Sequence, residues 1–482
     1  METAARSHAM SLGLAAPATN ARNWQAIAKA DRTTGQDKPV GTGQQHWPGP
    51  PLMSSPGRAS WPPKTGNRAL RSRTPRHSGR RFRDSRTPSR MALMSSYQKP
   101  AHASAMNSRA RPSLRQRASR VLGNARDRLL HAKEISQAGL TPYEVLHDNG
   151  LVSLRHYRPL HEDVIIVDGE TLRVNRKRHR VPLVIVPPLA VNMLIYDLFP
   201  ERSLVKYLLA RGFEVYLIDW GIPGFKQTHY NLHTYAAELL PEYLEKVRAH
   251  SGEKELSLHG WSMGGIITLC YGGLGHDKHI RNQVVLGSPI NSHASGQLGK
   301  VYQFISARAE WVRENTGFRI HNVSPRLLHT PGWINTVGFK LTNPVGSVMG
   351  YWDLLKKLGD REFVVDHATN ASFLDHMVAY TGGIVQDMMV RIWIDNEMAD
   401  GRMPIGNEEA HLSRITSNLL AFAGKGDTMV TADAVITLMD LVGSADRTFN
   451  VVPGGHMGIL SGSKASATVW KQTADWLAER SD

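Results

Sequence analysis

The sequence predicts an α/β protein: a mostly parallel sheet with helices on both faces, an inserted cap, and a disordered basic tail in front. Three observations carry this. Short, wholly apolar runs alternate with amphipathic stretches of helix length, that rhythm breaks over residues 291–411, and a charge imbalance is confined to residues 1–120.

The tail comes first. Residues 1–120 contain 22 Lys+Arg against four acids (Glu2, Asp31, Asp37, Asp84), so of the chain's 58 basic and 42 acidic residues the other 362 keep 36 and 38. The formal net charge of +16 therefore belongs to the tail. Stretches such as RALRSRTPRHSGRRFRDSRTPSR hold too little apolar surface to offset the entropy of ordering, and disorder is expected over 1–120. A cationic arm can meet a polyanion. No fold or aromatic platform accompanies this one, so no specific nucleic-acid partner is expected. A solvated extension, or a true start at Met91, Met94 or Met106, explains the tail as simply.

The single cysteine, Cys270, excludes an intramolecular disulfide framework and a cysteine-based metal cluster. No apolar run approaches the roughly 18 residues of a membrane span, and no basic segment leads into an apolar core at the start. A soluble, cytoplasmic protein is expected.

Residues 121–290 are expected to form the first part of the core. LVSLRHYRP and DVIIVDGETLRV read as alternating strands with a polar turn, an antiparallel beginning. VPLVIVPP lacks polar alternation, as a strand covered on both faces does. SLVKYLLARG reads as helix, FEVYLIDW as strand, YAAELLPEYLEKVRAH as helix and ELSLHG as strand, the order of a parallel sheet with right-handed crossovers. Residues 412–482 repeat it, with strands in NLLAFAG and TFNVVPG and helices in ADAVITLMDLVG and ASATVWKQTADWLAER. The Trp- and Met-rich stretch between them is expected to cap the sheet's C-terminal edge.

The sharpest motif is Gly260-Trp261-Ser262-Met263-Gly264 between a predicted strand and a predicted helix. In that setting G-x-S-x-G is a nucleophile elbow, whose glycines let strand and helix approach while the serine occupies a strained, exposed turn. A serine hydroxyl near neutral pH requires a base and a group that orients it, in the order Ser, acid, His. GKGDTMV places Asp427 after one late strand, and PGGHMG places His456 after the next, 29 residues on. In a parallel sheet those loops share the edge that holds Ser262. An ordinary turn Asp and a packed loop His are the alternatives, weakened by both falling at the right strand ends. For an oxyanion hole, Pro187 and Pro188 offer no N–H, which leaves Leu189 or Ala190 together with Met263.

These residues resemble a known family. VPLVIVPPLAVNMLIYDLFPERSLVKYLLARGFEVYLIDWG, HGWSMGG, VVLGSPIN, NEMADGRM, GKGDTMV and PGGHMGILSG are similar to the polyhydroxyalkanoate (PHA) synthases of the α/β-hydrolase superfamily, in consistent order from Thr141 to Arg480. The resemblance implies an α/β-hydrolase fold, a nucleophile, Asp and His at Ser262, Asp427 and His456, and polymerisation of (R)-3-hydroxyacyl-CoA through covalent thioesters. CoA would be part of the substrate, and no cofactor is implied. It also raises a polyester granule surface, a homodimer or a partner subunit as associations. One departure stands out: the synthases carry Cys at the elbow, and this chain has Ser262. Cys270 lies eight residues along the helix, about 12 Å away at 1.5 Å per residue, and reads as a small buried apolar residue.

Two functions follow from the acceptor. A hydroxyacyl acceptor makes the protein a synthase-like acyltransferase. Water makes it an esterase, thioesterase or depolymerase. A third reading is a weakly catalytic, particle-associated protein. Asp219 in LIDWG is either a family site position or a structural strand end. His259 reads as a core histidine. Trp311, Trp333, Trp352 and Trp393 fit core packing, with an acyl tunnel as the alternative. The histidines show no H-E-x-x-H spacing, so no metal is expected, and no P-loop or G-x-G-x-x-G follows a strand.

Overall fold

The computed structural model describes residues 113–341 and 344–482. The expected disorder of the tail lies outside the described residues up to 112. Residues beyond that are helical: Leu114–Leu130 begins ahead of the boundary at 121, because Ser113 and Gln116 cap each other's backbone N–H in a capping box. Composition had grouped this Arg-rich turn with the tail. Its residues Asn124 and Asp127 instead hydrogen-bond Leu358 O and Arg361.

Eight strands form the main sheet: β1 Tyr143–Asp148, β2 Ser153–Tyr157, β3 Leu183–Val186, β4 Val215–Asp219, β5 Leu256–Trp261, β6 Ile280–Leu286, β7 Asn418–Gly424 and β8 Arg447–Val452. Their spatial order is β1-β2-β4-β3-β5-β6-β7-β8. β1, β2 and β4 pair antiparallel, and β4 through β8 run parallel. The α/β-hydrolase sheet expected from the sequence is therefore present, with one difference at its start. DVIIVDGETLRV makes a separate hairpin, Val164–Val167 with Glu170–Arg173, turned at Asp168 and Gly169, both with positive φ.

The apolar runs alternate between two cores, as period two requires. Val184 and Val186 of β3, Ile218 of β4 and Leu258 of β5 face one core, with the helices Leu240–Ser251 and Met263–Leu274. Leu183 and Ile185, Leu217 and Phe422 face the other, with Leu204–Ala210 and the closing helix Lys471–Ala478. The sheet is thus a middle layer, and the C-terminal ends of its parallel strands form one edge.

Segment 291–411 has two parts. Helices Gly296–Thr316, Gly332–Leu341, Pro344–Lys356 and Arg361–Leu374 form the first. The second is the hairpin Arg402–Ile405 with Glu408–His411, which packs its Met403, Ile405 and Ala410 against the helix Met263–Leu274 as part of the core. The first part is held to the sheet edge where Val378 N–H donates to Ala190 O (3.0 Å) and Asn192 Nδ2 to Phe373 O (3.1 Å). Core packing describes Trp393, which lies against the core, and not the other three tryptophans. Trp311, Trp333 and Trp352 are 61%, 68% and 52% exposed, and Trp393 is half-buried, stacked on Tyr302.

Candidate active site

Ser262 follows β5 directly and takes φ 54°, ψ −120°, a backbone that non-glycine residues rarely adopt. Close packing holds it there. A Cβ on Gly260 would stand 2.6 Å from Gly265 Cα, and one on Gly264 would stand 2.1 Å from Val186 O. Only glycine at both positions lets the helix Met263–Leu274 reach the strands β3 and β5. Main-chain bonds fix the turn: Ser262 N–H donates to Leu286 O (2.8 Å), and Ser262 O accepts from Ser288 Oγ (2.7 Å) and Gly265 N–H (3.1 Å).

Asp427 and His456 come from the loops after β7 and β8, and those loops are joined to each other. Lys425 N–H donates to Val452 O and Gly426 N–H to Gly454 O, each at 2.8 Å. A Cβ on Gly424 would lie 2.7 Å from Gly454 O, so glycine is required for this approach as well. The Asp427 carboxylate has no solvent exposure, and its Oδ1 accepts Met429 N–H and Val430 N–H, both at 2.9 Å. Its Oδ2 lies 2.8 Å from His456 Nδ1. A carboxylate can only accept, so Nδ1 carries the proton and Nε2 presents a lone pair. That Nε2 lies 3.0 Å from Ser262 Oγ.

The sequence-predicted Ser262, His456 and Asp427 are therefore joined in one hydrogen-bonded line, partly exposed at the serine and histidine and buried at the aspartate. Such a line can move a proton from a hydroxyl to an imidazole while a buried carboxylate holds the ring. Trp261 adds a contact that sequence reading missed. Its Nε1–H donates to His456 O (3.1 Å), and the two rings lie 5.5 Å apart. The signal was visible only as the variable residue before the serine.

Among the described residues, the N–H groups of Leu189, Ala190 and Met263 donate to no protein group. Ala190 has φ 62°, and the loop after β3 is further anchored where Trp220 Nε1–H donates to Pro187 O (2.9 Å). A cleft lined by Pro188, Leu189, Ala190, Trp220, Tyr235 and Thr381 opens beside this loop, and the line of Ser262, His456 and Asp427 does not reach it.

Other candidates fall away from the line. Asp219 pairs with Arg155 of β2 and accepts Gly221 N–H (3.0 Å), so it closes the end of β4. His259 is buried with Nδ1 unpartnered, and burial pushes it down to about 4, which keeps it neutral. Cys270 is buried within the helix Met263–Leu274, and burial pushes its thiol far up, away from the reactive thiolate.

Residues 181–463 match the family model of the α/β hydrolase fold, and the chain belongs to that family. Within it the chain is PHA-synthase-like. It is 27% identical to the poly(3-hydroxyalkanoate) polymerase subunit PhaC of Haloferax mediterranei, over 74% of this chain and 68% of that one. It is 27% identical to the subunit of the same name from Allochromatium vinosum, over 75% and 95%, and 25% identical to that of Synechocystis, over 71% and 86%. Among the described residues, no helix is long and apolar enough to cross a membrane.

Proposed function

We propose that the chain is an acyltransferase acting on hydroxyacyl-CoA thioesters through a covalent acyl-Ser262. The hydrogen-bonded line Ser262–His456–Asp427 carries this reading. Ser262 Oγ attacks the thioester carbonyl carbon as His456 Nε2 takes its proton. The oxyanion is met by the N–H groups of Met263 and of Leu189 or Ala190, which among the described residues donate to no protein group. The C–S bond then breaks, CoA leaves with the proton from His456, and Ser262 is left as an oxoester. The hydroxyl of the next hydroxyacyl-CoA, deprotonated by His456, then attacks that ester; the bond from the acyl carbon to Ser262 Oγ breaks, His456 returns the proton to Ser262, and the lengthened chain leaves as its CoA thioester. Neither step needs a cofactor. The relatives named as polyester polymerases support this choice of acceptor. The exposed apolar side chains of residues 301–355 suit a protein that works at a polyester surface.

The same line with water as acceptor gives a serine hydrolase. Ser262 in place of the synthases' Cys favours this second reading, because an oxoester and a thioester differ in their reactivity toward incoming hydroxyls. The test is incubation of the full chain with (R)-3-hydroxybutyryl-CoA, following CoA release and product size together, with Ser262→Ala as control. CoA release with high-mass polyester supports the synthase. Free hydroxy acid as the sole product supports the hydrolase, and CoA release that survives Ser262→Ala overturns both.

A further inference from the structure

At the opposite edge of the sheet from Ser262, three elements bring Glu144 of β1, His156 of β2 and His250 of the helix Leu240–Ser251 together. One ligating atom of each lies within 4.8 Å of one from each of the others. His156 is buried, while Glu144 and His250 are exposed. In sheet register His156 stands between Glu144 and Tyr216.

The hydrogen bonds around the cluster assign its lone pairs. Glu214 Oε1 accepts from His156 Nε2–H (3.1 Å) and from the Tyr216 hydroxyl (3.0 Å). Tyr216 has then given its only proton, so its oxygen accepts from His250 Nδ1–H at 2.7 Å. His250 Nε2 is left with a lone pair, and so is His156 Nδ1. His156 Nδ1 lies 3.0 Å from Glu144 Oε1, so a shared cation, either the second proton of an imidazolium or a bound metal ion, stands between them. The negative end of the helix Leu240–Ser251 favours a cation here, since His250 occupies its last turn. Arg158 acts through space on Glu144 and Arg178 on Glu214 as opposing charges, and among the described residues neither hydrogen-bonds to the cluster.

We propose that Glu144, His156 Nδ1 and His250 Nε2 bind a zinc-class divalent ion, with Glu214 and Tyr216 orienting the two imidazoles. Two imidazoles and one carboxylate are a donor set for zinc, and a carboxylate or hydroxyl behind each ring is its usual support. Two ligands about 2.1 Å from a tetrahedral ion stand about 3.4 Å apart, so Glu144 Oε1 and His156 Nδ1 at 3.0 Å need little adjustment, and pairs up to 4.8 Å apart close by up to about 1.4 Å through turns of the exposed Glu144 and His250 side chains. The residues come from distant parts of the chain, so no local spacing announced them. The ion would clasp the edge strands β1 and β2 to the helix end, remote from the acyl-transfer chemistry.

The test is isothermal titration of the EDTA-treated full chain with zinc chloride, alongside Glu144→Gln, His250→Ala and their double variant. The expected result is one saturable site in the wild type, weakened at least tenfold in each single variant and absent in the double. Zinc should raise the melting temperature of wild type and not of Glu144→Gln. Far-UV circular dichroism checks that the variants fold, and near-isosteric Glu144→Gln stands in if His250→Ala does not. No saturable site, or equal binding by all four proteins, overturns the proposal; equal binding would place the metal on the chain's other histidines.

Discussion

Beneath the elbow, Val184, Val186, Leu258 and Ala421 have no contact with solvent, whereas in the helices over 296–356 Trp311, Trp333 and Trp352 stand more than half exposed. The two regions sit on the same sheet edge and are both rich in large apolar residues. In the core the sheet's pleat assigns each side chain to one of two filled layers, and the turn at Ser262 is fixed from every side. In the cap, helices lie over the edge with apolar faces turned outward. Apolar composition therefore has opposite meanings in the two places: below it measures packing, above it measures surface awaiting contact.

The largest expected effect lies in the core's reactive line. Ser262→Ala should lower turnover by about 10⁶-fold, read as the rate of CoA release, with the fold unchanged by circular dichroism. Asp427→Asn keeps the shape and disturbs the tautomer that makes His456 Nε2 an acceptor, and turnover should fall by about 10⁴-fold. If its loss were no greater than that of a cap substitution, the distinction between the regions would fail.

Stability sharpens the same contrast. Phe422→Ala, fully buried in β7, should lose about 3–5 kcal/mol in urea unfolding. His259 gives a pH signature of the core. Its ring is held down to about 4 in the fold against an ordinary 6.5, so its contribution is complete above pH 6.5 and is lost as pH falls toward 4. That amounts to about 3 kcal/mol, and His259→Leu should show a correspondingly flatter decline over that window. The smallest effect belongs to the cap: Trp333→Ser should change stability by no more than about 0.5 kcal/mol despite removing a larger side chain than Phe422. A loss of several kcal/mol there would mean that the cap is packed like the core.

Much of this was legible in the sequence. VPLVIVPP read as a buried strand because two-sided burial leaves an apolar run, FEVYLIDW, ELSLHG and NLLAFAG followed from the alternation with helices, and all four contain parallel strands of the sheet. The order Ser262, Asp427, His456 was visible because strand-end loops share one edge. What escaped was whatever depends on side-chain placement across distant segments. Trp261's bond to His456 O joins residues 195 positions apart. The first strand, Tyr143–Asp148, is exposed at the sheet margin and carries no clean alternation. The ion pair of Asp219 with Arg155 could not be chosen over a site role until β2 was known to lie beside β4. The exposure of the cap tryptophans has no counterpart in periodicity at all.

Every bond that holds the turn at residue 262 is made by its main chain, through Ser262 N–H to Leu286 O and through Ser262 O from Ser288 and Gly265. None of them involves the side-chain oxygen. The scaffold is therefore indifferent to which atom of the oxygen group it presents, and Ser262→Cys would exchange one reactive element for another within a fixed socket. A single-atom edit at residue 262 thus changes the reactive element that the elbow presents and leaves every bond that shapes the turn in place.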